Sequence, residues 1–155
     1  MKYILFIFSL LTALLTTSCD NEADGGAPTI NVKSIFVNDK PFIVGTALEV
    51  GDTVTVSLHL TDKTSPLRTF QTTVSCDGLQ TSIAEIPQNL VTKSGIDNDL
   101  SDCSVRFVDG VFTVDVIAQT IVKSPASDDF NLQFYLNTDN LCKTEKVGFI
   151  IDTAK

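Results

Sequence analysis

From residue 29 onward, apolar and polar side chains alternate with a period of two. Across residues 53–60 (TVTVSLHL), Val54, Val56, Leu58 and Leu60 interleave with Thr53, Thr55, Ser57 and His59. Successive strand residues point to opposite faces, so this pattern predicts a strand with one buried face. The alternation recurs at Phe70, Thr72, Val74 and Cys76, and at Cys103, Val105 and Phe107. It returns at Phe112, Val114, Val116 and Ala118, and at Phe130, Leu132, Phe134 and Leu136. Shorter candidate strands cover residues 30–37, 83–86 and 146–151. β-Branched Val, Ile and Thr dominate these runs, as a pleated half-buried surface favours. No window shows a convincing apolar repeat at helical spacing.

Turn-forming residues separate the runs. Val108-Asp109-Gly110 predicts a tight hairpin between its two flanking strands. Residues 38–41, 62–66 and 123–129 read as turns or loops from their Pro, Asp, Asn and Ser content, and residues 88–102 form the longest irregular stretch. About seven or eight short strands predict an all-β domain, an antiparallel two-sheet sandwich spanning residues 29–155. This layout resembles the broad immunoglobulin-like class. The antibody hallmark of a core Trp between two cysteines is missing, because the chain has no Trp.

The N-terminus breaks the pattern. Lys2 precedes an apolar run, YILFIFSLLTALL, interrupted only by Ser9 and Thr12. A spanning helix needs about 20 apolar residues, whereas a run of about 10–14 fits a signal-peptide core. Small residues Thr16, Thr17 and Ser18 then supply a cleavage region ahead of Cys19. The segment resembles a bacterial lipoprotein signal. Leu15 sits one place earlier than in the enteric pattern, and Thr16 takes the expected Leu position. The Ser-Cys junction followed by Asp20 and Glu22 is similar to the looser signals of Bacteroidetes lipoproteins, and to that phylum's surface-export signal. The resemblance implies cleavage after residue 18, lipidation of Cys19, and an exported protein held at the outer membrane and exposed on the cell surface. Each acyl CH₂ buried in a bilayer contributes about 0.8 kcal/mol, so two or three chains make a durable anchor. Residues 19–28 then form a flexible acidic tether, with Gly25-Gly26 and no large apolar side chain.

Charge narrows the partners. The chain carries a formal charge of −8. Only Lys2 of the eleven basic residues precedes Cys19, so the mature chain sets ten against nineteen acids, a formal −9. No Lys/Arg cluster is present. Nucleic acid and anionic headgroups are excluded as electrostatic partners, and the lipid anchor is the expected link to the membrane.

Candidate chemistry is sparse. With Cys19 lipidated, Cys76, Cys103 and Cys142 remain, an odd number. Cys76 and Cys103 share the apolar parity of their strands, whereas Cys142 falls in a polar loop. A Cys76–Cys103 disulfide and a pair of small buried thiols both fit. No Cys-x₂-Cys spacing accompanies the single His59, so zinc is unsupported. His59 reads as an exposed imidazole on a polar strand face, with no nucleophile motif in the sequence. Asp97, Asp99 and Asp102 with Asn98 offer oxygens suited to Ca²⁺, but the spacing departs from the EF-hand, and a solvated acidic loop is the favoured reading. No other cofactor is expected. Asp52-Thr53-Val54 and Asp152-Thr153-Ala154 resemble a Bacteroidetes O-glycosylation pattern, making Thr53 and Thr153 candidate acceptors. Tyr135, on the outward parity of its strand, is the aromatic candidate for ligand contact. The reading is a non-enzymatic binding or structural module. Its alternatives are a glycan-binding accessory of a polysaccharide-uptake system and a subunit of a surface adhesin.

Overall fold

The computed structural model describes residues 26–75, 78–92, 103–124 and 129–151. Cys19, Cys76, Asp97, Asp99, Asp102 and Thr153 lie outside them, with the signal segment and most of the tether. Ten strands follow in order: β1 (Thr29–Val37), β2 (Lys40–Pro41), β3 (Ala47–Leu48), β4 (Thr53–Thr61), β5 (Leu67–Val74), β6 (Leu79–Glu85), β7 (Ser104–Arg106), β8 (Thr113–Val122), β9 (Asp129–Thr138) and β10 (Cys142–Ile151). A single 3-10 turn, Gln88–Leu90, interrupts them. The domain is therefore all-β, as the period of two predicts.

The strands form two five-stranded sheets. The first runs β2-β1-β4-β8-β6 and the second β3-β10-β9-β5-β7. Every pairing is antiparallel except β3 with β10. The second sheet curls into a half-barrel. Val54, Val56, Leu58 and Leu60 of β4 are fully buried and face Phe70 of β5 and Phe130, Leu132, Phe134 and Leu136 of β9. Enclosing each such side chain contributes about 1.5–3 kcal/mol, so these alternating positions hold the sheets together.

Three local readings change. Asp109-Gly110 does turn, with Gly110 at φ 82°, but it joins β7 of one sheet to β8 of the other instead of closing a hairpin. The reason is Val111, which is buried and whose carbonyl accepts from the Leu67 amide, carrying the chain across the core. Parity slips there, and Phe112 is exposed rather than in the core. Cys142 opens strand β10 instead of sitting in a loop, because the turn tightens to residues 139–141, with Thr138 N–H donating to the Leu141 carbonyl.

The strands run between two ends. The described chain begins at Gly26, whose carbonyl accepts from the Thr64 hydroxyl, beside the β4–β5 loop. Nine residues of β1 then carry it away by about 30 Å at ~3.3 Å per residue. The far end gathers the starts of β4 and β9 with the ends of β1, β8 and β10.

Candidate functional site

The far end carries most of the exposed large apolar side chains among the described residues. After β1, Asn38 and Asp39 adopt positive φ (49° and 63°), the signature of a type I′ hairpin turn, and lead into β2. Two further turns flank β3. In Ile43-Val44-Gly45-Thr46 the Thr46 amide donates to the Ile43 carbonyl, and Gly45 sits at φ 89°. In Glu49-Val50-Gly51-Asp52 the Asp52 amide donates to the Glu49 carbonyl, and Gly51 sits at φ 98°. Glycine in the left-handed region at the third position marks a type II turn in each case. Both turns place a valine at their second position. Val44 is 91% exposed, Val50 52% and Ile43 73%. Turn tips ordinarily carry Pro, Asn, Asp, Ser or Gly, so paired Val-Gly apices are unusual. Ile150, 45% exposed, adds a fourth apolar side chain where β10 pairs with Ala47 of β3.

Beneath the turns lies a shallow cavity of about 310 Å³ bounded by Val37, Pro41, Phe42, Ile43 and Leu48. Phe42 closes it from below, its ring centroid 5.1 Å from that of Phe149. Exposed Asp39 and Glu49, with Asp52, rim the apolar tip, countered by Lys40. Asp52 is held in place, accepting from the Asn38 amide at 2.6 Å through Oδ1 and from the Glu49 backbone N–H at 2.8 Å through Oδ2.

The β10 edge has a different character. Only Ile150 and Ile151 pair with β3, so the outer edge of residues 142–149 faces no other described strand. In the register with β9, Lys143 lies opposite Leu136 and Glu145 opposite Phe134, both of which face the core. The two charges therefore point to the inner face. Inward-pointing charges on an edge strand oppose the docking of another strand.

His59 departs from the expected free imidazole. It pairs in register with Asp115 of β8, and its Nδ1 lies 2.8 Å from the Asp115 carboxylate. Lys33 of β1 donates to the same oxygen at 2.8 Å, bracing three strands. The lysine first, then the imidazole, holds the Asp115 carboxyl below the usual range. Since a carboxylate only accepts, Nδ1 carries a proton toward Asp115, and Nε2 lies 3.5 Å from the Thr113 hydroxyl. Acid, imidazole and hydroxyl thus stand in line. However, β4 is paired along its length with β1 and β8, so its amides point along the sheet and not above that face.

The remaining candidates fall apart in space. Tyr135 is half-buried on the outer face of the second sheet, across from Gln71 and Thr144, with its hydroxyl donating to Gln133. Thr53 faces outward at the far end, next to buried Val54. Cys103 precedes β7 in the left-handed region (φ 61°), and its thiol lies 2.9 Å from the Thr81 carbonyl. Its proposed partner, Cys76, is outside the described residues, as are the three candidate Ca²⁺ aspartates. Among the described residues no group of three or more His, Cys, Asp or Glu converges on a metal position. The apolar turns were readable in principle as two Val-Gly dipeptides ten residues or fewer from each other, but periodicity alone carries no signal for a turn apex.

Fold and surface together define an all-β, two-sheet domain with an apolar tip built from turns. The chain belongs to the family described as domain of unknown function DUF5035, which matches residues 19–153. No curated protein matches. Among solved structures it is similar to a DUF4466 family protein from Parabacteroides merdae, with a TM-score of 0.51 and 12% identity over 83% of this chain. It spans 46% of that protein's length. It also aligns with a FixG-related protein from Vibrio parahaemolyticus, with a TM-score of 0.45 and 11% identity over 82% of this chain and 98% of the other. A family 123 glycoside hydrolase from Clostridium perfringens aligns with a TM-score of 0.45 and 10% identity, over 81% of this chain and 27% of the enzyme.

Proposed function

We propose that the protein is a lipid-anchored, cell-surface binding module of immunoglobulin-like type, without enzymatic activity, that engages a protein partner through its apolar tip. The observation that carries this reading is the exposure of Val44 and Ile43 at a turn apex, 91% and 73%. Side chains of that size remain in water at a cost of about 1.5–3 kcal/mol each relative to burial, a cost that a partner removes.

The partner is a folded protein with an apolar groove rimmed by basic side chains. Acidic Asp39, Glu49 and Asp52 around the tip favour such a rim and disfavour an anionic bilayer. The tether leaves from the opposite end, so an anchor at Cys19 turns the tip away from the cell's own membrane. Support for the immunoglobulin-like type comes from strand order. The sequences β1-β4-β8-β6 and β10-β9-β5 correspond to A-B-E-D and G-F-C of that fold. Support for binding over strand-exchange assembly comes from the inward Lys143 and Glu145 on the open edge. Support for a non-catalytic role comes from the flat setting of His59, on a strand whose amides are taken up within the sheet.

Two measurements test the proposal. Cys19→Ala should move the protein from the membrane to the soluble fraction, and a variant that stays membrane-bound removes the anchor. A photo-crosslinking side chain placed at Val44 should give one discrete protein adduct on intact cells, with none from Thr73 on the second sheet. No adduct, or the same adduct from both positions, removes the tip as the binding surface.

A further inference from the structure

Of the exposed large apolar side chains among the described residues, Phe112 and Leu141 lie away from the tip, at the tether end. Phe112 precedes β8 of the first sheet and is 43% exposed, and Leu141 precedes β10 of the second and is 46% exposed. The β4–β5 loop crosses between the sheets at this end and fastens both segments. Its Asp62 amide donates to the Phe112 carbonyl at 3.0 Å. Its Ser65 hydroxyl accepts at 3.1 Å from the side-chain amide of Asn140, one residue before Leu141. Asp62 Oδ1 in turn holds the loop's own Thr64 and Ser65 amides, so the two apolar side chains flank a braced loop.

The same loop holds the point where the chain enters the fold. The Thr64 hydroxyl donates to the Gly26 carbonyl at 3.3 Å, and Pro28 is buried. Seven peptide units separate Gly26 from Cys19 and span at most about 25 Å. A lipid on Cys19 therefore keeps this end within about 25 Å of a bilayer, whereas the tip lies about 30 Å away along β1. Charge distinguishes the two ends as well. At the tether end Asp62 is held by its own loop, Asp109 and Asp139 pair with Arg68, and Lys63 is exposed. At the tip, exposed Asp39 and Glu49 rim the apolar turns.

We infer that the tether end is a lipid-facing surface, on which Phe112 and Leu141 enter the headgroup region of the bilayer that carries the anchor. The inference rests on the lipid at Cys19 proposed above. Membrane binding scales with buried apolar area, and two half-exposed side chains are too few to recruit a free protein. A short tether changes the balance, because it makes docking intramolecular at an effective concentration of about millimolar. Phe and Leu are side chains that interfacial segments sink to the acyl boundary, and Lys63 reaches the phosphates of zwitterionic headgroups. Docked this way, the domain stands upright and presents its tip outward.

The chain has no Trp, so single-tryptophan variants report each position without background. Full-length lipoprotein carrying Phe112→Trp, Leu141→Trp or Val44→Trp is reconstituted into phosphatidylcholine vesicles, with and without lipids brominated near the headgroup end of their acyl chains. Flotation with the vesicles reads the anchor, and quenching by the bromines reads the docking. The Phe112→Trp and Leu141→Trp proteins should emit to the blue of the Val44→Trp protein and lose intensity to brominated lipid, while Val44→Trp should keep its intensity. Adding Phe112→Ser to Leu141→Trp should weaken the quenching. Protein that floats but shows no quenching in the Phe112→Trp or Leu141→Trp variant overturns the lipid-facing surface and leaves the anchor standing. Protein that does not float removes the anchor, and this surface with it. Quenching strongest in Val44→Trp puts the opposite end on the membrane and overturns the inference as well.

Discussion

The rings of Phe70 on β5 and Phe134 on β9 stack with centroids 6.2 Å apart and planes 15° from parallel. Both are fully buried, at the centre of the second sheet's inner face. Phe134→Ala should therefore cost about 3–5 kcal/mol, since the cavity it leaves is walled by other rigid core side chains. Urea denaturation of the variant checks this, and a loss below about 1 kcal/mol would mean that the site collapses freely.

Asp62 should make the fold acid-sensitive. It is buried in the β4–β5 loop, and its Oδ1 accepts from the Thr64 amide, the Ser65 amide and the Thr64 hydroxyl at 2.7–3.0 Å. Burial alone pushes its carboxyl up, but those three bonds outweigh burial and hold it below the usual range. The folded state thus binds the proton less tightly than the unfolded chain does. The stabilisation is complete above the unfolded value of about 3.9 and is lost as pH falls through the lower folded value. Between about pH 6 and about pH 3, wild type should lose more stability than Asp62→Asn, whose amide has no such linkage. Equal losses in urea midpoints would assign the acid sensitivity elsewhere.

Alternation exposed most of the fold. It located β4, β8 and β9 with the correct buried face, because interior strands are held on both sides and their parity cannot drift. It failed where one side is open or the chain changes sheet. Phe112 follows the apolar parity, yet it precedes β8 at the crossover, where Val111 takes the core position. Lys143 and Glu145 read as polar loop, yet they face inward on an open edge that never closes over them. The His59–Asp115 pair was invisible because its members are 56 residues apart and meet only through strand register. The apolar tip was hidden for a different reason: an exposed valine at a turn and a buried one in a strand are the same letter.

The brace of Lys33, His59 and Asp115 should be weak and pH-dependent. Lys33 and Asp115 are exposed, at 48% and 66%, so a double-mutant cycle between Lys33→Met and Asp115→Asn should return a coupling of only about 0.2–1 kcal/mol. Asp115 is depressed in the folded state, so its contribution should be present above about pH 4 and disappear as pH falls through the folded value. Raised salt should shrink the coupling as well. A coupling of several kcal/mol, insensitive to salt, would mean that the cluster is desolvated by a partner or by a covering segment.

The Val-Gly turns separate function from stability within single dipeptides. Val44 and Val50 touch water, so Val44→Ser and Val50→Ser should leave stability within about 0.5 kcal/mol of wild type. Gly45 and Gly51 are the reverse case. A Cβ at either position meets nothing within 4 Å, so no clash contributes. Their φ values of 89° and 98° nevertheless lie where L side chains are strained. Gly45→Ala and Gly51→Ala should each lower stability by about 1–2 kcal/mol through the backbone alone. Gly51 should be the costlier site, because its amide donates to the Val122 carbonyl at 2.8 Å and so pins the second turn to β8. Thermal melts of the four variants check the split, and serine variants that destabilise as much as the alanine ones would show that the valines are packing residues, not a binding tip.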